Sequence, residues 1–344
     1  GFGNSSSSGG SQNQIGQVGQ VTNLTHVPQT IQLQHSFVDP VVFAQSASFH
    51  GSDPTVVRVT DVQSDRFTLF LAEPENLDGS HDPEIISYLV LDRGLWRLSD
   101  GSLLEVGKID TSATVGQLLA NNWETVEFAG TFATTPVVLG QLQSTAGEAH
   151  LKIRMQNPST SSVELALEQQ ESATAVHGVE TVGYLAIEPG VGQWDGLAFG
   201  AGYTADAVTQ DWYDISFGAG FGSAPKFLSS LGTYRGADST HLRYHSLDAL
   251  GVQVKVEEDT SLDAETTHVV EMAGYLAIEA EGLLTATPQT ITFGLAGATS
   301  PTPGGALQQQ GPALPDLALF LAELFCSADD AGIHTVIGLT ALLK

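Results

Sequence analysis

Three histidines that could take part in chemistry share one spacing pattern, His-x-x-Glu-x-x-x-Tyr. The three occurrences are His81/Glu84/Tyr88, His177/Glu180/Tyr184 and His268/Glu271/Tyr275. An arginine recurs with the same regularity, 18 residues after a proline, as Arg58 after Pro40, Arg154 after Pro136 and Arg243 after Pro225. The next alternating segment ends at Glu73, Glu168 or Glu257. This recurrence within one chain indicates equivalent sites in tandem repeats.

Two interpretations of the arginine–glutamate sets follow from their chemistry. A guanidinium is a rigid fork of donors and can clamp hydroxyls or carboxylates of a ligand. Alternatively, the pairs fix sheet geometry or join repeats. Exposed pairs contribute only ~0–1 kcal/mol, so their recurrence favours a buried position or one between repeats. The candidate ligand-binding set is Arg58, Glu73, His81, Glu84, Arg154, Glu168, His177, Glu180, Arg243, Glu257, His268 and Glu271.

The histidines and acidic loops also raise two metal hypotheses. Neutral imidazole binds transition metals, and the three histidines could converge on a threefold axis and hold such a metal together. The alternative is that each histidine forms a hydrogen bond with the glutamate three residues later. Calcium takes 6–8 oxygen ligands, often from acidic loops. Candidate calcium ligands are Asp78, Asp82, Asp259 and Asp263, although no EF-hand spacing is present. A solvated acidic loop is the alternative.

Composition and motifs exclude several classes of function. The chain carries 39 acidic and 12 basic residues, a net charge of −27. A nucleic-acid partner or an anionic membrane surface is therefore not expected. The nucleophile-elbow, zincin, P-loop and Rossmann patterns are absent, which predicts a non-enzyme. The lone Cys326 allows no internal disulfide, and no apolar run is long enough for membrane insertion. We expect an extracellular or cell-surface protein.

Alternating apolar residues, rich in Val, Ile, Thr and aromatics, predict an all-β chain of antiparallel sandwiches. The predicted limits are a Gly/Ser linker at 1–16, repeats at 17–106, 107–200 and 201–285, and a partial fourth repeat or extension at 286–344. A short amphipathic helix near 313–325 is an alternative for part of the tail. In the second repeat, Leu185 and Ile187 face one way, and Glu180, Tyr184 and Glu188 the other. Leu151, Ile153 and Met155 are expected to point inward, with Lys152, Arg154 and Gln156 outward.

Several motifs resemble the H-type lectin domain of snail agglutinins and discoidin C-terminal domains. In the second repeat these are Val106–Asp110 (VGKID), Trp123, Phe132, Thr134–Gln143 (TTPVVLGQLQ) and Gly183–Glu188 (GYLAIE). The resemblance implies a six-stranded antiparallel sandwich that assembles as a trimer, with an N-acetylgalactosamine site near the subunit boundary. Three tandem copies can then form a pseudo-trimer or a string of beads. The family's Trp-His pair before the last strand is missing, so its sugar contacts cannot be transferred, and a bacterial branch of the fold is suggested.

Two functions remain open at this stage. The first is a lectin-like binding or adhesion module with a glycan or matrix component as partner, in which tandem copies raise avidity. The second is a structural subunit of an extracellular fibre or sheath. Self-association through the partial fourth repeat, by strand addition, would serve that second function.

Overall fold

The fold was analysed from a computed structural model that describes residues 12–147, 150–218 and 220–289. Within these ranges the chain is all-β, as predicted, and forms 23 strands. No helix in this part of the chain is long and apolar enough to cross a membrane. The predicted partial fourth repeat and its alternative helix, beyond residue 289, lie outside the described residues.

The strands fall into three successive groups. The first group is β1 (Asn13–Leu24), β2 (Gln29–Gln32), β3 (Pro40–Phe43), β4 (Ala47–Ser48), β5 (Val56–Thr60), β6 (Arg66–Ala72), β7 (Glu84–Asp92) and β8 (Gly94–Arg97). The second is β9 (Leu103–Thr111), β10 (Thr114–Val115), β11 (Glu124–Glu127), β12 (Val137–Leu142), β13 (Lys152–Gln156), β14 (Ser162–Glu168), β15 (Glu180–Ile187) and β16 (Gly190–Trp194). The third is β17 (Leu197–Tyr203), β18 (Tyr213–Ser216), β19 (Lys226–Leu231), β20 (Thr240–His245), β21 (Gly251–Glu258), β22 (Ala273–Ile278) and β23 (Gly282–Pro288).

Each group contains the same two antiparallel three-stranded arrangements. One has the order β1-β7-β3, β9-β15-β12 or β17-β22-β19. The other has the order β2-β6-β5, β11-β14-β13 or β18-β21-β20. Alternation between the two faces of each strand buries apolar residues between the paired sheets, which is typical of a β-sandwich.

The connecting strands join one group to the next. β8 pairs with β9, β16 pairs with β17, and β23 pairs with β1 across Leu284 and Gly16. The last described strand therefore returns to the first. All described residues belong to one compact unit.

Apolar residues form four clusters rather than three. Three clusters fill the individual sandwiches, and the fourth combines equivalent residues of all three groups, including Leu89, Leu185 and Leu276. The inward direction of Leu151, Ile153 and Met155 is confirmed. The face of β15 with Tyr184 is not polar, because Tyr184 is buried in the second sandwich. Both faces of this strand are thus buried, one in its own sandwich and one in the shared cluster.

Several predicted segment limits fall inside strands. Ile15 is fully buried in β1, so the predicted linker at 1–16 is too long by at least Asn13–Gly16. The limits at 106/107 and 200/201 lie within β9 and β17, since these strands pair with the strand that precedes them. Residues 286–288, assigned to the fourth repeat, belong to β23.

Candidate functional site

Arg243 lies at the centre of a buried charge cluster. It projects from β20, and its guanidinium is fully buried. Nη1 donates to Glu257 Oε2 at 2.6 Å, and Nη2 donates to Glu84 Oε1 at 2.6 Å. Glu257 belongs to the third repeat and Glu84 to the first. One arginine therefore connects two sandwiches that are far apart in the sequence.

The equivalent arginines make equivalent connections. Arg154 lies 3.0 Å from Glu168 of its own repeat and 2.8 Å from Glu271 of the third. Arg58 lies 3.8 Å from Glu180 of the second repeat and donates to the Ser144 carbonyl at 2.9 Å. The arginine of the first repeat thus contacts a glutamate of the second, that of the second contacts one of the third, and that of the third contacts one of the first. The expectation of buried pairs between repeats is confirmed.

Each receiving carboxylate is surrounded by donors from its own repeat. Glu84 accepts from the Ser48 hydroxyl and from the backbone NH groups of His50 and Gly51 at 2.8–3.1 Å. Burial opposes ionisation of Glu84, but bonds from His81 and the charge of Arg243 bring its pKa below the usual value. The carboxylate is therefore held as an anion inside the protein.

Ser144 and Thr233 repeat the role of Ser48. Their hydroxyls donate to Glu180 and Glu271, respectively. Each hydroxyl also accepts the backbone NH one residue after the glutamate, from Thr181 at 2.8 Å and from Met272 at 2.9 Å. The loop before the last strand is thereby fixed in the same way in every repeat.

Two of the three histidines bridge pairs of carboxylates. His81 lies 3.0 Å from Glu73 and 3.2 Å from Glu84. His268 lies 2.5 Å from Glu258 and 3.3 Å from Glu271. Burial lowers the pKa of His268, but its two carboxylate partners outweigh this effect and raise it to about 9. Both ring nitrogens of His268 therefore face carboxylates, and neither is left free for a metal.

His177 differs, because its Nδ1 lies 3.0 Å from the Gly178 carbonyl. The predicted bond to the glutamate three residues later is thus confirmed for His81 and His268 only. The alternative of convergence on one metal is wrong for the described residues, since no group of potential ligand atoms there unites the three rings.

The first repeat departs from the predicted register. Glu168 pairs across the sheet with Lys152 and Glu257 with His241, but the corresponding partner of Val56 is Ala72, not Glu73. Glu73 is instead equivalent to Glu258, and both bond a histidine. The expected Arg58–Glu73 equivalence is therefore shifted by one residue, which moves the side chain to the other face of the strand.

The acidic residues predicted to bind calcium occupy separate environments. Asp78 and Asp263 accept backbone NH groups two residues later in exposed turns, and Asp82 is exposed. Asp259 is buried, 3.7 Å from Lys152, and is bonded to Ser261. Among the described residues, none of the four joins a group of three potential metal ligands.

All twelve residues of the predicted ligand-binding set are buried. Buried and partnered charges hold elements in place more readily than they contact a ligand that stays at the surface. Their role as ligand contacts stays a prediction.

An aromatic cluster at the boundary of the third and first repeats was missed. Trp212 and His245 have ring centroids 3.7 Å apart, and Phe49 lies 5.5 Å from Trp212. The Lys255 ammonium is 3.9 Å from the Phe49 centroid and 5.2 Å from that of Trp212. All four side chains are half-buried. We define Trp212, His245, Phe49 and Lys255 as the aromatic boundary cluster.

A related pair occurs between the second and third repeats. Trp123 contacts Tyr234 edge-to-face at 5.2 Å, and Arg154 lies 4.7 Å from the Tyr234 centroid. The recurrence of Trp123 and Trp212 before equivalent strands was the available sequence signal. Phe49 and Tyr234 come from other repeats than the tryptophans they contact, so spacing alone did not reveal these contacts.

Comparison with known proteins gives one relevant similarity. Halomucin of Haloquadratum walsbyi is 28% identical over 270 residues, which cover 75% of this chain. The chain spans about 3% of the length of that relative. No family model matches, and no solved structure matches. The similarity to Halomucin is compatible with a surface or extracellular protein.

Proposed function

We propose that this chain is a non-catalytic, lectin-like binding module of a surface or extracellular protein and that it recognises carbohydrate. The observation that carries the proposal is the aromatic boundary cluster, a half-buried tryptophan beside a histidine and a lysine. An indole ring can pack against the apolar face of a pyranose. Lysine and imidazole nitrogens can donate to sugar hydroxyls.

Polar groups lie close to this ring in the sequence and in the sheet. Asp214, two residues after Trp212, is exposed and accepts from Gln253 at 2.8 Å across β18 and β21. Carboxylate and amide groups on an exposed sheet are suitable partners for hydroxyls. The cluster thus combines an apolar ring with donors and acceptors, which is the usual composition of a small-molecule site.

The proposal includes an arrangement of the three repeats as a pseudo-trimer. Three observations support it: the cyclic order of the arginine contacts, the pairing of β23 with β1, and the apolar cluster shared by all three repeats. This arrangement places the aromatic boundary cluster between two sandwiches. A site at such a boundary exists only while the ring of repeats is closed.

A glycan array probed with the full chain tests the binding function. The variant Trp212→Ala should lose the sugars that the parent protein retains. Trp123→Ala is the matched control, because the second repeat lacks the lysine of the aromatic boundary cluster. The position equivalent to Lys255, which pairs with Arg243, is Ala166, which pairs with Arg154. Retention of no sugar at protein concentrations of tens of micromolar, or equal binding by Trp212→Ala, would contradict the proposal.

A second candidate function is that of a structural subunit of an extracellular fibre or sheath. The buried inter-repeat charges favour it, because the recurrent residues stabilise a rigid block rather than face solvent. Electron microscopy and light scattering over a range of protein and salt concentrations test it. Fibres or regular oligomers are expected, and a monomer under all conditions would exclude this function.

A further inference from the structure

A buried carboxylate at the end of β21 has one unpartnered oxygen. Glu258 Oε1 contacts His268, whereas Oε2 has no hydrogen-bond partner among the described residues. The Glu258 side chain is only 1% exposed. An ionised oxygen in such a position is unfavourable unless a cation or an ordered water satisfies it.

A second carboxylate, that of Asp238, lies close to Glu258. Potential ligand atoms of Asp238, Glu258 and His268 all lie within 4.8 Å of one another. Glu171, from the second repeat, is buried, and its backbone NH donates to Asp259, the residue that follows Glu258. Burial, followed by the charges of Asp259, Asp238 and Glu258, raises the pKa of Glu171 to about 8. Asp238 and Glu258 thus supply carboxylate oxygens that lie close to one another beside the second repeat.

The basic side chains near this site already contact other carboxylates. Both ring nitrogens of His268 face glutamates, one on Glu258 and one on Glu271. Lys152 lies 3.7 Å from Asp259, which also accepts the Glu171 NH at 3.1–3.2 Å. The groups that remain available are therefore oxygens. A set of carboxylate oxygens suits calcium or magnesium better than a transition metal.

We propose that Asp238 and Glu258 bind a divalent cation of the calcium type beside the boundary of the second and third repeats. Asp259, the residue after Glu258, holds the backbone of Glu171 and so ties this segment to the second repeat. The cation neutralises the Glu258 oxygen. The site differs from the four aspartates expected from the sequence and lies apart from the aromatic boundary cluster.

The first repeat supplies an internal comparison. Glu73 is equivalent to Glu258 and also bonds a histidine, His81. Its second oxygen, however, accepts the Gly79 NH at 3.1 Å. Since both Glu73 oxygens are satisfied by the protein, we expect no cation there. Glu73→Gln is therefore the matched control for Glu258→Gln.

Isothermal titration of calcium into the chelator-treated full chain tests the proposal, with magnesium and zinc as parallel titrants. The parent protein and Glu73→Gln should bind one equivalent of calcium at concentrations up to about millimolar, the range of extracellular calcium modules. Glu258→Gln should lose this binding heat. Asp238→Asn, at a half-buried position, is a second variant should Glu258→Gln fail to fold by circular dichroism.

Three results would overturn the proposal. The first is that the parent protein binds neither calcium nor magnesium, as expected if only water satisfies Glu258. The second is unchanged calcium binding by a folded Glu258→Gln or Asp238→Asn variant. The third is binding of zinc alone. Loss of calcium binding with intact sugar retention would separate this site from the proposed carbohydrate function.

Discussion

Replacement of Arg243 by methionine is the most direct perturbation of the inter-repeat charge clusters. Arg243→Met keeps an unbranched apolar stem but removes the guanidinium that neutralises Glu84 and Glu257, each 2.6 Å away. All three side chains are at most 7% exposed. The variant therefore removes the arginine charge from two carboxylates that stay in the protein interior.

The expected magnitude follows from this geometry. Removal of one partner from a buried ion pair costs about 3–5 kcal/mol, mostly because the remaining charge is desolvated. For a domain of this size, 1 kcal/mol corresponds to roughly 2–4 °C in melting temperature. Arg243→Met should therefore lower the melting temperature by about 6–20 °C. The triple variant with Glu84→Gln and Glu257→Gln should recover a large part of that loss, because the two side chains that faced the guanidinium are then neutral.

Thermal unfolding followed by tryptophan fluorescence measures this effect. The control is Arg235→Met, because Arg235 also lies 2.6 Å from a carboxylate, that of Asp206, but is 45% exposed. An exposed pair contributes about 1 kcal/mol at most. Equal melting temperatures for the two variants would refute the reasoning that burial, rather than distance, makes the Arg243 contacts important.

Two further predictions concern pH and close packing. Burial lowers the pKa of His150 and of His241 below 6.5, so below pH 6.5 the unfolded chain binds protons that the folded protein does not; between pH 6.5 and 5 the unfolding free energy should therefore fall with decreasing pH, by at most about 1.4 kcal/mol per pH unit for each histidine. Denaturant titrations across that range check this, and an unchanged slope in a double His→Leu variant would contradict it. A Cβ on Gly107 would lie 2.3 Å from the Tyr184 ring, so Gly107→Ala should cost about 1–3 kcal/mol. Gly178→Ala, where nothing lies within 4 Å, is the control by the same denaturant assay, and equal stability of the two variants would show that the ring moves freely.

The strand pattern was predictable because it depends on local alternation. Phe37, Phe132 and Phe221 recur three or four residues before the repeated prolines, and all three are buried. Alternation also placed Ile153 and Met155 inside their sandwich. It could not show that the opposite face of β15 is buried as well. One face of this strand packs in its own sandwich and the other against two neighbouring repeats, and a period of 2 does not distinguish such a strand from one with an exposed face.

The charge clusters show where sequence reasoning stops. Spacing found Arg154 and Glu168 as a pair, since both lie on adjacent strands of one sheet. It could not identify Glu271 as the second partner, 117 residues further along the chain, because that contact depends on how the repeats are assembled. This contact also explains why the arginine recurs in all three repeats although their loops differ in length. Each arginine must satisfy a carboxylate of the next repeat, and a change in one repeat would leave a buried charge in another.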